Sequence, residues 1–243
     1  IYVGIRNKHK QTIFLSDKSA ELPKISLIVP TKNEETVIRR CLEGILNIDY
    51  PIGKMQIIVV DGKSDDNTCK ICSEFSEKYP ENIKIISEKT ANGKPAALNL
   101  AIPYINGELV GVFDADSLPE KDVLAKVAFY FKDEKLKALQ GRTTSLNEKN
   151  NALTRVIAME ERAWFQALMS GREKLQLFVP LTGSCQFVRT KVLEELGGWD
   201  ETSLTEDVEL ALRFVEKNHH IQYASDVCSG QETPNTLSSL FKQ

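Results

Sequence analysis

The sequence is poor in several features that would mark specialised classes of protein. Its 243 residues include only 5 cysteines, an odd number spread thinly, so a disulfide framework is not indicated and a reducing compartment is expected. It shows no signal-peptide pattern and no apolar run near the ~20 residues that a membrane-spanning helix needs. It also lacks a basic excess. The 31 Lys and Arg against 34 Asp and Glu give a formal charge of -3, which argues against nucleic acid as a main partner.

What the sequence does contain is typical of a folded domain. Hydrophobic residues make up 42% and charged residues 27%, so a disordered or fibrous chain is excluded. Residues 1–24 are polar and irregular and are predicted to be a lead-in. Residues 25–243 show no linker and are predicted to be one domain. Its first half, at about 25–117, is a nucleotide-type α/β unit, and its second half, at about 118–243, is mixed.

Short apolar runs alternate with amphipathic helices in the first half. The predicted strands are Ile25–Val29, Ile57–Val60, Ile83–Ile86 and Leu109–Phe113, and the helices between them are Glu34–Leu46, Thr68–Tyr79 and Pro95–Tyr104. This alternation predicts right-handed βαβ units and a mostly parallel sheet. Ligands of such sheets bind outside the carboxyl ends of the strands, and polar residues follow each predicted strand here.

Asp114-Ala115-Asp116 is the sharpest of these polar motifs. In an extended segment the two carboxylates point the same way, so they can hold a hard divalent cation that is shared with a phosphate. The alternative is a solvated turn that ends a strand. The position of the Asp114-Ala115-Asp116 motif directly after the predicted strand Leu109–Phe113 favours the cation site.

Other acidic residues leave structural and functional interpretations open. Asp61 ends a predicted strand, where a base or ribose can be bound, whereas Asp66 is typical of a helix start. Glu206 and Asp207 open a predicted helix over Glu206–Lys217. Their carboxylates could complement the helix dipole, or one of them could serve as a general base.

Six motifs, taken in order, carry a family resemblance. They are Ile25 to Glu34, Val59-Val60-Asp61, Gly93-Lys94 with Ala97-Leu98-Asn99, Asp114-Ala115-Asp116, Gly197-Gly198-Trp199, and Thr205-Glu206-Asp207. The series resembles glycosyltransferase family 2 with the GT-A fold, as in the catalytic domains of membrane-bound cellulose- and hyaluronan-synthase-like enzymes. It runs from about Ile25 to the C-terminus.

The resemblance implies an inverting transferase with a nucleotide-sugar donor, most often a UDP-sugar. On the donor side it implies that Thr31 and Glu34 lie near the nucleotide and that Asp61 binds the base. Lys94 would lie near the phosphates. Asp114 and Asp116 would contact the ribose, the diphosphate and Mg²⁺ or Mn²⁺. Gly62-Lys63 after Asp61 departs from the family pattern.

On the acceptor side the resemblance implies that Asp207 is the general base, with Glu206 among the substrate-binding residues. Gly183-Ser184 is similar to the acceptor loop of processive synthases, although Leu181-Thr182 departs from their aromatic pattern. Trp199 is either a sugar platform or a core residue. The acceptor is expected to be a hydroxyl of a polysaccharide or of a lipid-linked molecule.

The resemblance also concerns localisation. Many membrane-bound members carry a Gln-x-x-Arg-Trp motif, and Gln243 stands where that motif would begin. We therefore expect the parent protein to reach the membrane through segments outside this chain, with this domain on the cytoplasmic face.

Two other functions remain open at this stage. A metal-dependent sugar nucleotidyltransferase would want a Gly/Arg/Lys-rich triphosphate loop near the N-terminus, but residues 29–35 are acidic and have no glycine. A non-catalytic nucleotide-binding module would give no reason for both Asp116 and Asp207, although fold alone does not exclude it.

Overall fold

The structure is a computed structural model that describes residues 22–90 and 92–240. Residues 1–21 of the predicted lead-in, and Gln243, lie outside the described residues. The proposed domain bounds therefore stay a prediction. Within the described ranges, no helix combines the length and the hydropathy needed to cross a bilayer.

One eight-stranded sheet organises the described residues. Its strands are β1 (Ile25–Thr31), β2 (Met55–Asp61), β3 (Ile83–Ser87), β4 (Leu109–Val112), β5 (Leu118–Pro119), β6 (Ala138–Ser145), β7 (Gln186–Arg189) and β8 (Ile221–Gln231). They lie in the order β3-β2-β1-β4-β7-β6-β8-β5. β1 to β4 are parallel, as predicted, whereas β7 runs antiparallel to both β4 and β6.

Helices cover both faces of this sheet. They are α1 (Ile38–Leu46), α2 (Thr68–Lys78), α3 (Lys94–Ala101), α4 (Val123–Tyr130), α5 (Ala152–Arg162), α6 (Ser170–Lys174), α7 (Thr190–Leu196), α8 (Glu206–Glu216) and α9 (Leu237–Leu240). A π-helical segment, Ala163–Met169, joins α5 to α6. The prediction of a mixed α/β fold with flanking helices is confirmed.

Two core clusters explain why the parallel strands are apolar along their whole length. Successive residues of a strand point to opposite faces. In β1, Leu27 packs into the cluster that holds α1, α2 and α4, whereas Ile28 packs into the cluster that holds α3, α7, α8 and the π-helical segment. Strands that are buried on both faces have no polar positions to alternate with.

The structure differs from the sequence prediction in several elements. α1 begins at Ile38 and not at Glu34, because residues 34–37 form a turn in which the Glu34 carbonyl accepts from the Ile38 N–H at 2.9 Å. The sequence predicts a short strand over Ile221–Ala224, whereas β8 continues past Ala224 to Gln231. β6 was not predicted, since its sequence after Leu139 is polar, and neither were β5 and α4.

Candidate active site

A cleft of about 350 Å³ opens at the carboxyl ends of the central strands. It is lined by the loops after β1, β2 and β4 and by the start of α3. Five of the residues that the sequence predicts for the site line it, namely Thr31, Glu34, Lys94, Asp114 and Asp116. The parallel strands bring them together because their carboxyl ends meet at one edge of the sheet.

Unpartnered polar atoms lie at the ends of three neighbouring strands, where Thr31 and Glu88 line the cleft and Asp61 lies between their strands without lining it. Thr31 Oγ1, Asp61 Oδ1 and Glu88 Oε1 are buried at or just after the ends of β1, β2 and β3, and none has a hydrogen-bond partner among the described residues. The Asp61 side chain is held in place, since its Oδ2 accepts from the Ser64 N–H at 3.1 Å. Buried polar atoms are normally satisfied, so these three are suited to bind a polar ligand.

Hydrogen bonds tie the loop after β1 to the loop after β2. The Glu34 N–H donates to Thr68 Oγ1 at 2.8 Å, and the Asp65 N–H donates to Asn33 Oδ1 at 2.8 Å. Asp66 Oδ1 accepts from the Thr68 N–H at 2.9 Å, which is the helix-start role that the sequence favours for it. The two loops therefore hold Glu34 in a fixed position at the edge of the cleft.

Three carboxylates crowd the floor of the cleft. Burial and the neighbouring Asp114 carboxylate raise the pKa of Asp116 to about 6. Burial, Asp116 and Asp114 together raise the pKa of Glu34 to about 7. This concentration of negative charge is unfavourable in the protein alone, and a cation would relieve it.

Lys94 Nζ is the cation that contacts this acidic group. It lies 2.5 Å from Asp114 Oδ1 and 3.1 Å from the Gly183 carbonyl oxygen. Burial is the largest single effect on the pKa of Lys94 and lowers it, but the carboxylates of Asp114, Glu206 and Asp207 together outweigh burial and raise it. α3 begins at Lys94, with Pro95 in its first turn and Gly93 before it at φ 93°, so the side chain projects from a helix start into the cleft.

The loop over residues 182–185 lies beside Lys94 and Asp114, although its residues do not line the cleft, and buried Gln140 of β6 holds it. Gln140 Oε1 accepts from the Thr182 N–H at 2.9 Å, while Nε2 donates to the Ser184 carbonyl at 3.0 Å. Ser184 is itself buried, and its Oγ accepts from the Asp114 N–H at 3.2 Å. The predicted acceptor-loop serine therefore anchors the aspartate motif through its side chain.

Gly183 brings this loop against the predicted base. Its φ of 77° lies in the left-handed region that favours glycine. A Cβ at this position would lie 3.1 Å from Lys94 Nζ and 3.4 Å from Asp207 Oδ2. Asp207 stands in the first turn of α8 beside Glu206, whose pKa burial raises. Lys94, Gly183 and Asp207 thus share one small volume.

Trp199 does not line the cleft. Its side chain is 3% exposed and packs in the core cluster with Leu210 and Phe214 of α8. Asn99 fixes the backbone of Trp199 on both sides, since Oδ1 accepts from its N–H at 2.8 Å and Nδ2 donates to its carbonyl at 2.7 Å. Of the two interpretations of Trp199, the structure favours the core residue over the sugar platform.

Sequence reasoning missed three contributors to the site. Glu88 and Gln140 stand in no recognisable motif. Arg40 is the third: its Nη1 donates to Glu232 Oε1 at 2.5 Å and its Nη2 donates to the Asp116 carbonyl at 3.4 Å. The Asp116 carboxylate also accepts a backbone hydrogen bond from Glu232. Arg40 and Glu232 are 192 positions apart, so no local signal links them.

Comparisons with known proteins bear on this geometry. A profile described as "Glycosyltransferase like family 2" matches residues 23–243. The chain is 37% identical over 227 residues to a Bacillus subtilis protein named "Probable glycosyltransferase YdaM", which covers 92% of this chain and 54% of that protein. It is 36% identical over 216 residues to the "Beta-monoglucosyldiacylglycerol synthase" of a Nostoc species, with 87% and 44% covered. The chain spans about half the length of these curated relatives.

Solved structures show the same fold. A mannosyltransferase from Pyrobaculum calidifontis, in complex with GDP-Man and Mn²⁺, matches 91% of this chain and 60% of its own, with a TM-score of 0.75 and 25% identity. TarS of S. aureus, in complex with UDP-GlcNAc, matches 88% of this chain and 59% of its own with a TM-score of 0.68. Because TarS is only 22% identical to this chain, its similarity shows the fold alone. The predicted GT-A fold is confirmed.

Proposed function

Because the chain belongs to glycosyltransferase family 2, we propose that it transfers a sugar, with inversion, from a UDP-sugar to a hydroxyl of a lipid-linked or polysaccharide acceptor. The observation that carries this proposal is the position of Lys94. Its Nζ lies 2.5 Å from Asp114, on the donor side, and 3.1 Å from the carbonyl of Gly183, beside Asp207. Groups suited to a donor diphosphate and to a base therefore meet at one point.

The names of relatives support the acceptor class. One relative is named for the synthesis of glucosyldiacylglycerol, and another, 23% identical, is a "Poly-beta-1,6-N-acetyl-D-glucosamine synthase". A diacylglycerol acceptor resides in a bilayer, which supports work at a membrane, and the cytoplasmic face stays the prediction made from the sequence. No nucleic acid is required for this chemistry.

The three unpartnered polar atoms would bind the nucleoside. Asp61 Oδ1 is buried and accepts no hydrogen bond within the described residues, so it is suited to accept from the ring N–H of uracil. Thr31 Oγ1 and Glu88 Oε1 flank it at the ends of the neighbouring strands and would meet the base or the ribose. Lys94 would bind the diphosphate, exchanging part of its contact with Asp114 for phosphate oxygens.

The donor set fits Mg²⁺ or Mn²⁺. In residues 22–90 and 92–240 no group of three His, Cys, Asp or Glu side chains is arranged to hold a metal. Mg²⁺ commonly needs fewer protein ligands, since one or two carboxylates hold it together with substrate phosphates. Asp114 and Asp116 would supply those carboxylates, and their crowding with Glu34 already favours a cation. When bound, the metal would stabilise the negative charge of the departing diphosphate.

The residues on the acceptor side would complete a single displacement. The acceptor oxygen attacks the anomeric carbon from the face opposite the diphosphate, the bond from that carbon to the phosphate oxygen breaks, and the nucleoside diphosphate leaves. The carboxylate of Asp207 takes the proton of the acceptor hydroxyl, a role worth about 10²–10⁴-fold in rate. One displacement inverts the configuration at the anomeric carbon.

The test is a donor panel. UDP-sugars and GDP-sugars are incubated with the chain in Mn²⁺, with and without acceptor lipids, and release of nucleoside diphosphate is measured. We expect release from one UDP-sugar, its loss in EDTA, and its loss in Asp116→Ala with an unchanged melting temperature. Release of pyrophosphate from a sugar phosphate and UTP would favour the nucleotidyltransferase instead. Tight nucleotide binding without turnover would favour the non-catalytic module.

A further inference from the structure

The acceptor half exposes an unusually apolar helical surface. Six large hydrophobic side chains are exposed along the continuous helical stretch of α5, the π-helical segment and α6 and just after it. These residues, which we call the apolar face, are Val156, Met159, Trp164, Leu168, Leu175 and Leu177. Exposure reaches 61% at Val156 and 71% at Leu175. Side chains three or four residues apart on a helix are neighbours, as are Val156 and Met159, and Trp164 and Leu168, and exposed apolar patches usually mark interaction sites.

The other side of the same helical stretch is already used for packing. Phe165 and Met169 are buried in the core cluster with Leu210 and Phe214 of α8. The apolar face is therefore not a core surface that is incompletely covered. It is the outward side of a helix that is anchored through its inward side, which is the arrangement of an interfacial amphipathic helix.

The charges that border this face identify what it fits. Between residues 149 and 177 the exposed or half-buried charged side chains are the basic Lys149, Arg155, Arg162, Arg172 and Lys174 and the acidic Glu160, Glu161 and Glu173. Arg162 pairs with Glu148 at 2.7 Å, and Lys174 also has an interaction partner, so these two charges are partly offset. The region is nevertheless basic on a chain whose overall charge is -3. A face of exposed Leu, Met and Trp bordered by Lys and Arg matches an anionic bilayer surface, where Trp sits at the level of the headgroups.

The chain connects this face directly to the candidate active site. After Leu177 the buried residues Val179 and Leu181 lead into Gly183, whose carbonyl contacts Lys94 and whose α-carbon faces Asp207. A surface that rests on a bilayer here would hold the acceptor side of the cleft close to the headgroups. This placement suits an acceptor that is itself a membrane lipid.

We infer that the apolar face docks this domain on an anionic lipid bilayer, a contact made by the chain itself and separate from any flanking segment. The inference rests on the proposed function in one respect, because a lipid acceptor explains why docking is useful. The contact itself needs neither donor nor turnover. It can therefore be measured independently of the reaction.

The first experiment uses the two tryptophans of the chain. Trp164 is 39% exposed on the apolar face, whereas Trp199 is 3% exposed in the core. Vesicles of phosphatidylcholine with phosphatidylglycerol, at about 3:1, should shift the emission of Trp164 to the blue, and dibrominated phosphatidylcholine in them should quench it. Trp164→Phe should remove the fluorescence response while sedimentation with vesicles persists. Fluorescence that vesicles leave unchanged would overturn the inference.

The second experiment measures partition by vesicle sedimentation in buffer free of nucleotide. The double variant Met159→Gln/Leu168→Gln should bind about tenfold or more weakly, because two apolar side chains no longer enter the lipid. Phe129→Gln is the matched control. Phe129 is 45% exposed, but it lies on α4, which packs against the other core cluster, so its variant should bind like the wild type. Arg155→Gln should weaken binding several-fold to the anionic vesicles only.

Two results would overturn the inference. One is equal sedimentation of the double variant and Phe129→Gln. The other is a monomer–dimer equilibrium in vesicle-free buffer that the double variant abolishes, since it would assign the face to a second copy. Donor hydrolysis in vesicle-free buffer is followed in parallel and should be unchanged in all these variants. A wild-type chain that hydrolyses a donor but does not bind vesicles would defeat the docking face alone. A wild-type chain that binds vesicles but hydrolyses no donor would defeat the proposed function alone.

Discussion

Lys94 Nζ and Asp114 Oδ1 form an ion pair at 2.5 Å that joins the two sides of the candidate active site. Asp114 belongs to the acidic motif after β4, and Lys94 opens α3. The same ammonium also holds the Gly183 carbonyl at 3.1 Å. A nucleotide that draws Lys94 toward its phosphates would therefore act on the acidic motif and on the loop beside Asp207 at the same time.

Removal of the Lys94 charge should weaken nucleotide binding most strongly. In Lys94→Met the diphosphate loses a charge-assisted hydrogen bond, and Asp114 is left facing the other carboxylates unneutralised. We expect affinity for UDP to fall roughly 10–100-fold, as is usual for hydrogen bonds to charged groups. Calorimetric titration of UDP in Mn²⁺ measures it. Lys89→Met, which changes an exposed lysine between β3 and α3, is the control and should bind UDP normally.

Gly183→Ala tests the contact between the loop and the predicted base. The methyl group would lie 3.1 Å from Lys94 Nζ and 3.4 Å from Asp207 Oδ2, on a backbone at φ 77°. We expect turnover to fall at least about tenfold, with a stability cost of roughly 1 kcal/mol from the backbone conformation.

Gly197→Ala separates the two effects. Gly197 has a nearly identical φ of 82°, but a Cβ there meets nothing within 4 Å in the described structure. It should show a similar stability cost with normal turnover. Equal losses of turnover in the two variants would mean that backbone strain, and not the contact with Lys94 and Asp207, is responsible.

Gln140 is expected to position the loop from below. Gln140→Leu leaves the Thr182 N–H and the Ser184 carbonyl without partners in a buried place, at a cost of about 2–4 kcal/mol. Gln56→Leu is the matched control, since Gln56 is also buried and bonds Ser26 Oγ at 2.6 Å and the Tyr104 carbonyl at 2.9 Å, far from the cleft. Both variants should melt lower, but only Gln140→Leu should lose turnover, measured well below either melting temperature. Normal turnover in Gln140→Leu would limit Gln140 to a stabilising role.

Glu34 should make the stability of the metal-free protein depend on pH. Its pKa rises from 4.5 to about 7 on folding, mainly through burial and then through Asp116 and Asp114. Between pH 4.5 and 7 the folded state therefore holds a proton that the unfolded state has lost. The contribution of Glu34 to stability falls as pH rises through this window and is least favourable above pH 7.

Denaturant unfolding of Glu34→Gln beside the wild type measures this effect. The variant should match the wild type near pH 4.5 and exceed it by up to about 2 kcal/mol at pH 8, a figure already reduced for solvent screening. Parallel pH profiles for the two proteins would mean that the Glu34 carboxylate is not perturbed by its neighbours.

The first half of the fold followed from the sequence because its signals are local. An apolar run such as Ile57–Val60 is buried on both faces, and the polar Asp61 marks where the strand ends. The meeting of Thr31, Lys94 and Asp114 in one cleft then follows from parallel topology. In the first half, the apolar runs in the sequence and the parallel strands of the structure coincide.

The second half was harder to predict because its elements depend on distant partners. β6 reads as polar beyond Leu139, yet it pairs with both β7 and β8 in the sheet, and Gln140 is buried because its amide serves the loop at 182–185. The bond between Arg40 and Glu232 likewise spans nearly the whole domain. Trp199 was ambiguous because an aromatic residue after two glycines fits a core or a platform equally well. Its burial is decided by the packing of α8 and by Asn99.

The role of Asp207 as the general base is tested most directly by the turnover of Asp207→Asn, measured beside its UDP affinity and melting temperature. Asn is tolerated near a helix start, so the fold should be kept, and the nucleotide side of the cleft should be unaffected. Asn cannot take the proton of the acceptor hydroxyl, so we expect turnover lowered by about 10²-fold or more with UDP affinity and melting temperature unchanged. Turnover within a few-fold of the wild type would contradict it, and Glu206 would become the nearest candidate for the base.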